Sequence, residues 1–284
     1  VIQQIPDQVL AIDWSGALSP AAQRRGIRAA TCSLPTGNLQ LLPGALRTEI
    51  EALLLAHAAN RTPIVAGLDF SFSYPAWFLR EAGCNSAPEL WAHVAQHGEH
   101  WLREPHPHFW GRRKGSGPPA THRAPHWLGY RQCELAAATS KRLPLSSFQI
   151  GGAGAVGTGT LRGMPMLARL RAAGFSIWPF DPPALPLLVE IYPRLLTGPV
   201  IKSSPSARTA YLRQPQFAHI PTHARHQAEA SEDAFDALVS ALIMRRHAAA
   251  FALLPHPLDE TTRLEGAIWN PASTLENYAI PHRR

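Results

Sequence analysis

Hydrophobic and polar positions change period several times along the chain. Residues 8–14, QVLAIDW, form a continuous apolar run that closes on Asp13, the pattern of a buried strand. Residues 27–34, IRAATCSL, and 38–42, NLQLL, read as two further strands, separated by the turn residues PTGN. Residues 45–60, ALRTEIEALLLAHAAN, place Leu46, Ile50, Leu53 and Leu54 at helical spacing. PIVAGLDF, residues 63–70, returns as a buried strand that closes on Asp69. The predicted order is β-β-β-α-β. Three strands before the first helix are not the βαβ opening of a dinucleotide-binding fold.

From residue 74 to 148 the periods fade and Trp, His and Pro accumulate, so this stretch reads as an insertion within a single domain spanning 1–284. Inside it, residues 88–104 suit a helix, 105–126 a loop, and 129–142 a helix or turn. A glycine-rich loop at 151–159 then leads into an amphipathic helix carrying Met166, Leu167 and Leu170, with Arg169 and Arg171 on its basic face. FSIWPFD and LPLLVEIYP are two more strand candidates, the second containing Glu190. Residues 231–253 make the clearest helix, with Phe235, Leu238, Val239 and Leu242 as its apolar face.

Composition narrows the class. The 284 residues carry 45% apolar and 17% charged side chains, as a packed globular protein does. No apolar run approaches the roughly 20 residues of a membrane helix. The start, VIQQIPDQ, lacks the basic and apolar regions of a secretory signal, and it lacks Met, as a trimmed chain would. Cys32, Cys84 and Cys133 form no CxxC pair and predict reduced thiols in a cytoplasmic protein. The net charge of +7 favours an anionic partner such as nucleic acid.

The candidate chemistry lies in acids at element ends. Asp13 and Asp69 each close a strand, Glu190 sits within one, and Asp233 and Asp236 stand three apart on the late helix. If the Asp13 and Asp69 strands are parallel neighbours, both carboxylates face the crevice where open α/β sheets place their sites. Clustered carboxylates repel one another, and Mg²⁺ or Mn²⁺, which prefer oxygen ligands, removes that repulsion. Each acid also has a plain structural reading. Asp13 and Asp69 are placed to start turns with Ser15 and Ser71, Glu190 alternates as a solvent-facing residue would, and Asp233 follows Ser231 in a first helical turn. Asp236 lies a turn further in, with Val239 and Ile243 beside it, where an acid needs a partner or a metal.

The segments AIDWSG, AGLDFSFSYP, VEIYPRL, SEDAFDALVSAL and EGAIWNP, in this order, together resemble domain-of-unknown-function family 429, described as predicted RNase H-fold nucleases; the likeness covers most of the chain outside 74–148. The acid arrangement is also similar to RuvC-type resolvases. The resemblance implies an RNase H-like mixed sheet flanked by helices and a metal-dependent phosphodiesterase site holding Mg²⁺ or Mn²⁺. It implies Asp13 as bridging ligand, Asp69 in the place of the fourth-strand acid (usually Glu in RuvC-type enzymes), and Asp236 with Asp233 as late-helix acids. It implies Glu190 as a further acid that binds metal, orients water or stabilises the fold, and Glu265 as another candidate.

Seven of the 14 histidines fall between 93 and 126. His93, His97 and His100 share one helical face, a spacing zinc accepts, but no HExxH or cysteine pair accompanies them, so packing or solvated roles are favoured. Trp91, Trp101, Trp110 and Trp127 lie among basic residues, and Trp110 with Arg112, Arg113 and Lys114 is the candidate for binding phosphates and bases, against the plainer reading of a basic surface over a small aromatic core. The G-x-G-x-x-G at Gly152, Gly154 and Gly157 lacks the context of a nucleotide loop. The leading expectation is a metal-dependent nuclease acting on DNA or RNA. The alternatives are a non-catalytic nucleic-acid-binding module on the same fold and, at greater distance, an actin- or sugar-kinase-like ATP-binding protein.

Overall fold

The computed structural model describes residues 4–104, 106–112, 116–138, 143–256 and 259–271. In chain order the elements are β1 (Gln8–Asp13), α1 (Pro20–Gly26), β2 (Arg28–Ser33), β3 (Leu39–Leu41), α2 (Arg47–Ala59), β4 (Ile64–Leu68), α3 (Ala76–Glu81), α4 (Ala87–Arg103), α5 (Gln132–Ala136) and α6 (Val156–Ala172). They continue with β5 (Ser176–Ile177), β6 (Leu187–Ile191), α7 (Pro193–Thr197), α8 (Pro205–Leu212), α9 (Thr222–Ala230), α10 (Glu232–Arg246), α11 (Glu260–Glu265) and β7 (Ile268–Trp269).

Among the described residues the strands form one mixed sheet in the order β3-β2-β1-β4-β6-β5, with β7 also paired to β6. β1, β2 and β3 are antiparallel neighbours, while β4 runs parallel to β1 and β6 parallel to β4. The expected early order holds with one addition, the short helix α1 between β1 and β2. Ser19 caps it by accepting from the Ala22 amide, and Pro20 suits its first turn.

The two faces of the sheet bury separate cores, as period-two alternation requires. Leu10, Ile12, Ala66, Leu68 and Leu188 face one apolar cluster, which α4 and α6 complete. Val9, Ala11, Val65, Val189 and Ile191 face the other, under α10. α4, with Leu90, Trp91 and Val94 buried, packs along α6. The segment 74–148 therefore builds a layer of the main core: its Tyr74, Phe78, Trp101, Phe109 and Phe148 join the same cluster as the strands.

The sequence pattern predicts an amphipathic α10. In the structure Ala234 to Leu242 are buried on every side. The sheet covers one side, and α7 and α9, which no period in the sequence announces, cover the other. No helix among the described residues is long and apolar enough to cross a membrane.

Candidate active site

Alternation decides which acids meet. β1 and β4 are in parallel register with Ile12 beside Leu68, and the Asp69 amide donates to the Ile12 carbonyl at 3.0 Å. Asp13 and Asp69 are the next residues, so both leave the sheet at the carboxyl end of their strands on the α10 face. α10 starts at that same edge. Ser231 caps it by accepting from the Ala234 amide at 3.2 Å, and the first turns carry Asp233 and Asp236. The positive end of the helix dipole favours negative charge there.

The electrostatics record the convergence. Burial, then the charges of Asp69, Asp236 and Asp233, raise Asp13 well above the ordinary carboxylate range. Asp69 is pushed up to about 7, by burial first and then by Asp236. Burial raises Asp236 to about 6, against the opposing pull of Lys202. Asp233 is raised too, by burial and by Glu232. Asp13 feels the charges of Asp69, Asp236 and Asp233 together, which makes it the centre of the group.

Two cations face this group, and the sequence reading names neither. Lys202, in the turn between α7 and α8, bonds its ammonium to Asp236 Oδ2. Arg28 stands directly across the β1–β2 ladder from Asp13 and draws Asp233 downward by its charge. Arg28 is legible once β1 and β2 are paired, because residues opposite each other in an antiparallel ladder share a face. Lys202 sits in an aperiodic loop and has no such signal. Tyr192 and Arg194, just beyond β6, complete the rim: burial and then Asp69 raise the Tyr192 hydroxyl, while Lys202 and Arg194 oppose them.

Glu190 leaves the sheet on the other face. In β6 it lies beside Leu68, and its side chain enters the α4–α6 layer. It accepts from the Phe72 amide at 2.9 Å and from Arg131 Nη1 at 2.8 Å and Nη2 at 2.5 Å. Arg131 is fully buried and also bonds Glu134 and the Glu265 carbonyl. The Glu265 carboxylate accepts from the amides of Ala76 and Gln132 at 2.9 and 2.7 Å. Glu190 and Glu265 are thus knots between β6, the 71–76 turn, α5 and α11, with their oxygens occupied. Glu190 still lies close enough to Asp69 for its charge to contribute to raising that carboxyl.

The glycine-rich segment serves close packing at the same sheet edge. A Cβ on Gly16 would lie 2.5 Å from the Gly159 nitrogen and from the Thr158 carbonyl carbon, so the turn after Asp13 rests directly on the first turn of α6. Trp14 Nε1 donates to the Gly159 carbonyl at 3.1 Å, and Arg162 of α6 bonds the Gly16 carbonyl. The loop before α6 in turn touches Gly111: Gly151 and Gly111 approach so closely that neither accepts a Cβ. Exposed Arg112 stands beside this contact, and half-buried Trp110 exchanges backbone bonds with Phe148 and Ile150. Arg113 and Lys114 lie outside the described residues.

Of Trp91, Trp101, Trp110 and Trp127, two are core residues: Trp91 and Trp101 are buried, and Trp91 Nε1 donates to the Phe72 carbonyl at 2.7 Å. The His93 and His97 rings lie 4.4 Å apart beside Trp101. His106 and His122 are pushed down to about 4, by burial first, and pack on Phe109 and Phe148 as neutral rings. Among the described residues, no three His, Cys, Asp or Glu side chains stand as a ready-made metal cage.

The chemistry of the Asp13 group nevertheless fits a hard divalent cation. Its donors are carboxylate oxygens, and Asp236, 5% exposed, keeps Oδ1 buried with no hydrogen-bond partner. Comparison with protein-family models, curated proteins and solved structures returns no match for this chain.

Proposed function

We propose that the chain is a metal-dependent nuclease of RNase H-like fold, related to domain-of-unknown-function family 429, with Asp13, Asp69 and Asp236 as its cation ligands and Asp233 beside them. The observation that carries this reading is the convergence of four aspartates, from two strand ends and one helix, on a single sheet edge. Evolved interiors do not gather mutually repelling, partly desolvated carboxylates without a compensating charge, and Lys202 and Arg28 supply only part of it. Structural acids in this chain behave otherwise: Glu190 and Glu265 have every oxygen answered.

A bound Mg²⁺ or Mn²⁺ would supply the positive charge that activates water and steadies the departing oxygen of a phosphodiester. The protein's part is placement. β1 and β4 fix Asp13 and Asp69 at one level, α10 brings Asp236 to them, and the Trp14–Gly16 turn is clamped by α6. In this reading exposed Arg112, beside the Gly111–Gly151 contact, would meet a phosphate, with half-buried Trp110 next to it. Glu190 acts in this reading through the fold, tying β6 to Arg131.

A mixed panel of single-stranded, duplex, hybrid and branched nucleic acids tests the proposal. The wild type should cleave at least one in Mn²⁺ or Mg²⁺ and none in EDTA. Asp13→Asn, folded by circular dichroism, should lose roughly 10² to 10⁴-fold in rate, the range of a removed charge-positioning group. Binding of nucleic acid without cleavage by the wild type would instead leave a non-catalytic module.

A further inference from the structure

The cation already at the site is Lys202, and its surroundings are built to hold it there. Its side chain is only 17% exposed although it stems from a surface turn, and Ile201 before it is left 67% exposed. Placing an apolar side chain in water while turning an ammonium inward runs against ordinary burial preferences. Two arginines fix the turn. Arg208, 3% exposed, bonds the Lys202 carbonyl and donates twice to the Glu229 carbonyl, at 3.0 and 2.7 Å. Glu229 lies in the last turn of α9, three residues before α10 begins, so one guanidinium ties the lysine turn to the lead-in of the helix that carries Asp236. Arg194 Nη1 holds the Val200 carbonyl at 2.8 Å.

Charge fixes how much more the site can take. When ionised, Asp13, Asp69, Asp233 and Asp236 carry four negative charges, and Lys202 and Arg28 return two positive ones. Glu232, exposed at the start of α10, adds a charge that solvent screens, so the remainder within the buried group is two, the charge of one divalent cation. A second would leave the pocket with net positive charge and would compete with Lys202 for Asp236 Oδ2, whereas Oδ1 of the same carboxylate is unpartnered.

We propose that Lys202 is a fixed cationic member of this centre, taking up the Asp236 oxygen that a second metal ion would need, so that the centre binds a single divalent cation. The inference rests on the carboxylate group being a cation site, but not on what that site cuts.

Mn²⁺ titration of the full chain, followed by calorimetry and by the electron paramagnetic resonance signal of free Mn²⁺, tests it. The wild type and Lys202→Arg should each bind one Mn²⁺ per chain. Lys202→Met should bind a second and hold the first about tenfold more tightly or better, as removal of a neighbouring unit charge requires. Two ions in the wild type, or a Lys202→Met protein that is folded by circular dichroism and binds one ion with unchanged affinity, would overturn the assignment. Cleavage assayed on the same samples separates the readings. One ion without cleavage keeps the role of Lys202 and rejects the nuclease, two ions with cleavage do the reverse, and no ion at all overturns both.

Discussion

Asp13 and Glu190 are both acids at a carboxyl end of this sheet, yet strand parity sends them to opposite faces. Asp13 and Asp69 follow Ile12 and Leu68 and so fall on the α10 side, while Glu190 shares its face with Leu188 and Leu68. The consequence is a difference in protonation energetics. The ordinary Asp value is 3.8, and the folded protein raises Asp69 to about 7 and Asp236 to about 6. A raised acid favours the folded state while it is protonated. The metal-free protein should therefore lose this contribution as pH climbs from about 4 to about 7. Melting temperatures measured from pH 8 down to pH 5 should rise in EDTA, and Asp69→Asn should flatten that slope. Mn²⁺ should stabilise the wild type more at pH 8 than at pH 5, because cation and proton compete for the same oxygens. Much of this residue-level picture is legible in the sequence: the acids that close two strands and both acids of the D-x-x-D helix are the ones that meet. Lys202 is not legible, because only the Arg208 and Arg194 bonds to an aperiodic loop bring it in.

At the scale of elements, strand β6 supplies the fold with a buried ionic knot. Arg131, Glu134 and Glu190 form two buried ion pairs, at 3.0 and 2.5 Å. Arg131 keeps Glu134 when Glu190 is replaced, so what is lost is the set of charge-assisted bonds to one of its two carboxylates, about 1.5–3 kcal/mol. Glu190→Gln should accordingly lower chemical-denaturation stability by an amount of that order and leave Mn²⁺ affinity nearly unchanged. Asp69→Asn should do the opposite, removing Mn²⁺ binding at little cost or with a gain in metal-free stability. A Glu190→Gln protein that stays stable but loses Mn²⁺ would return Glu190 to the site. The α2, β4 and α10 segments are readable from period alone, since Ile50 and Leu54 line one helical stripe and β4 is buried throughout. The helices α7, α8 and α9 are not readable, because their packing faces are short and largely Ala, Pro and Arg. The amphipathic reading of α10 fails for that reason: the pattern cannot show that its second side is also covered.

For the whole molecule, the sign of charge and the place of the acids pull in different directions. The chain carries +7 overall, yet four aspartates gather at one edge of its sheet. On the proposed function, a basic body around an acidic centre would attract a polyanion and leave the centre dependent on a cation to receive it. Affinity for duplex DNA should fall steeply with salt, with a log–log slope of about −0.9 per phosphate contact, and Arg112→Ala should make that slope shallower by roughly one contact. A slope unchanged by that substitution would remove Arg112 from the binding surface without touching the carboxylate centre. Segment 74–148 reads as an insertion in the sequence because its periods are poor; packed, it supplies aromatic side chains to the main core, where mutual contact rather than period places them.

The central claim is that Asp13, Asp69 and Asp236 hold a divalent cation. Crystals of the full chain soaked in Mn²⁺ and measured at the manganese absorption edge test it most directly. The account predicts an anomalous peak bounded by these three carboxylates, absent from crystals of Asp13→Asn. A wild-type crystal with no peak there, or with its only peak at another group such as the His93–His97 pair, would contradict it.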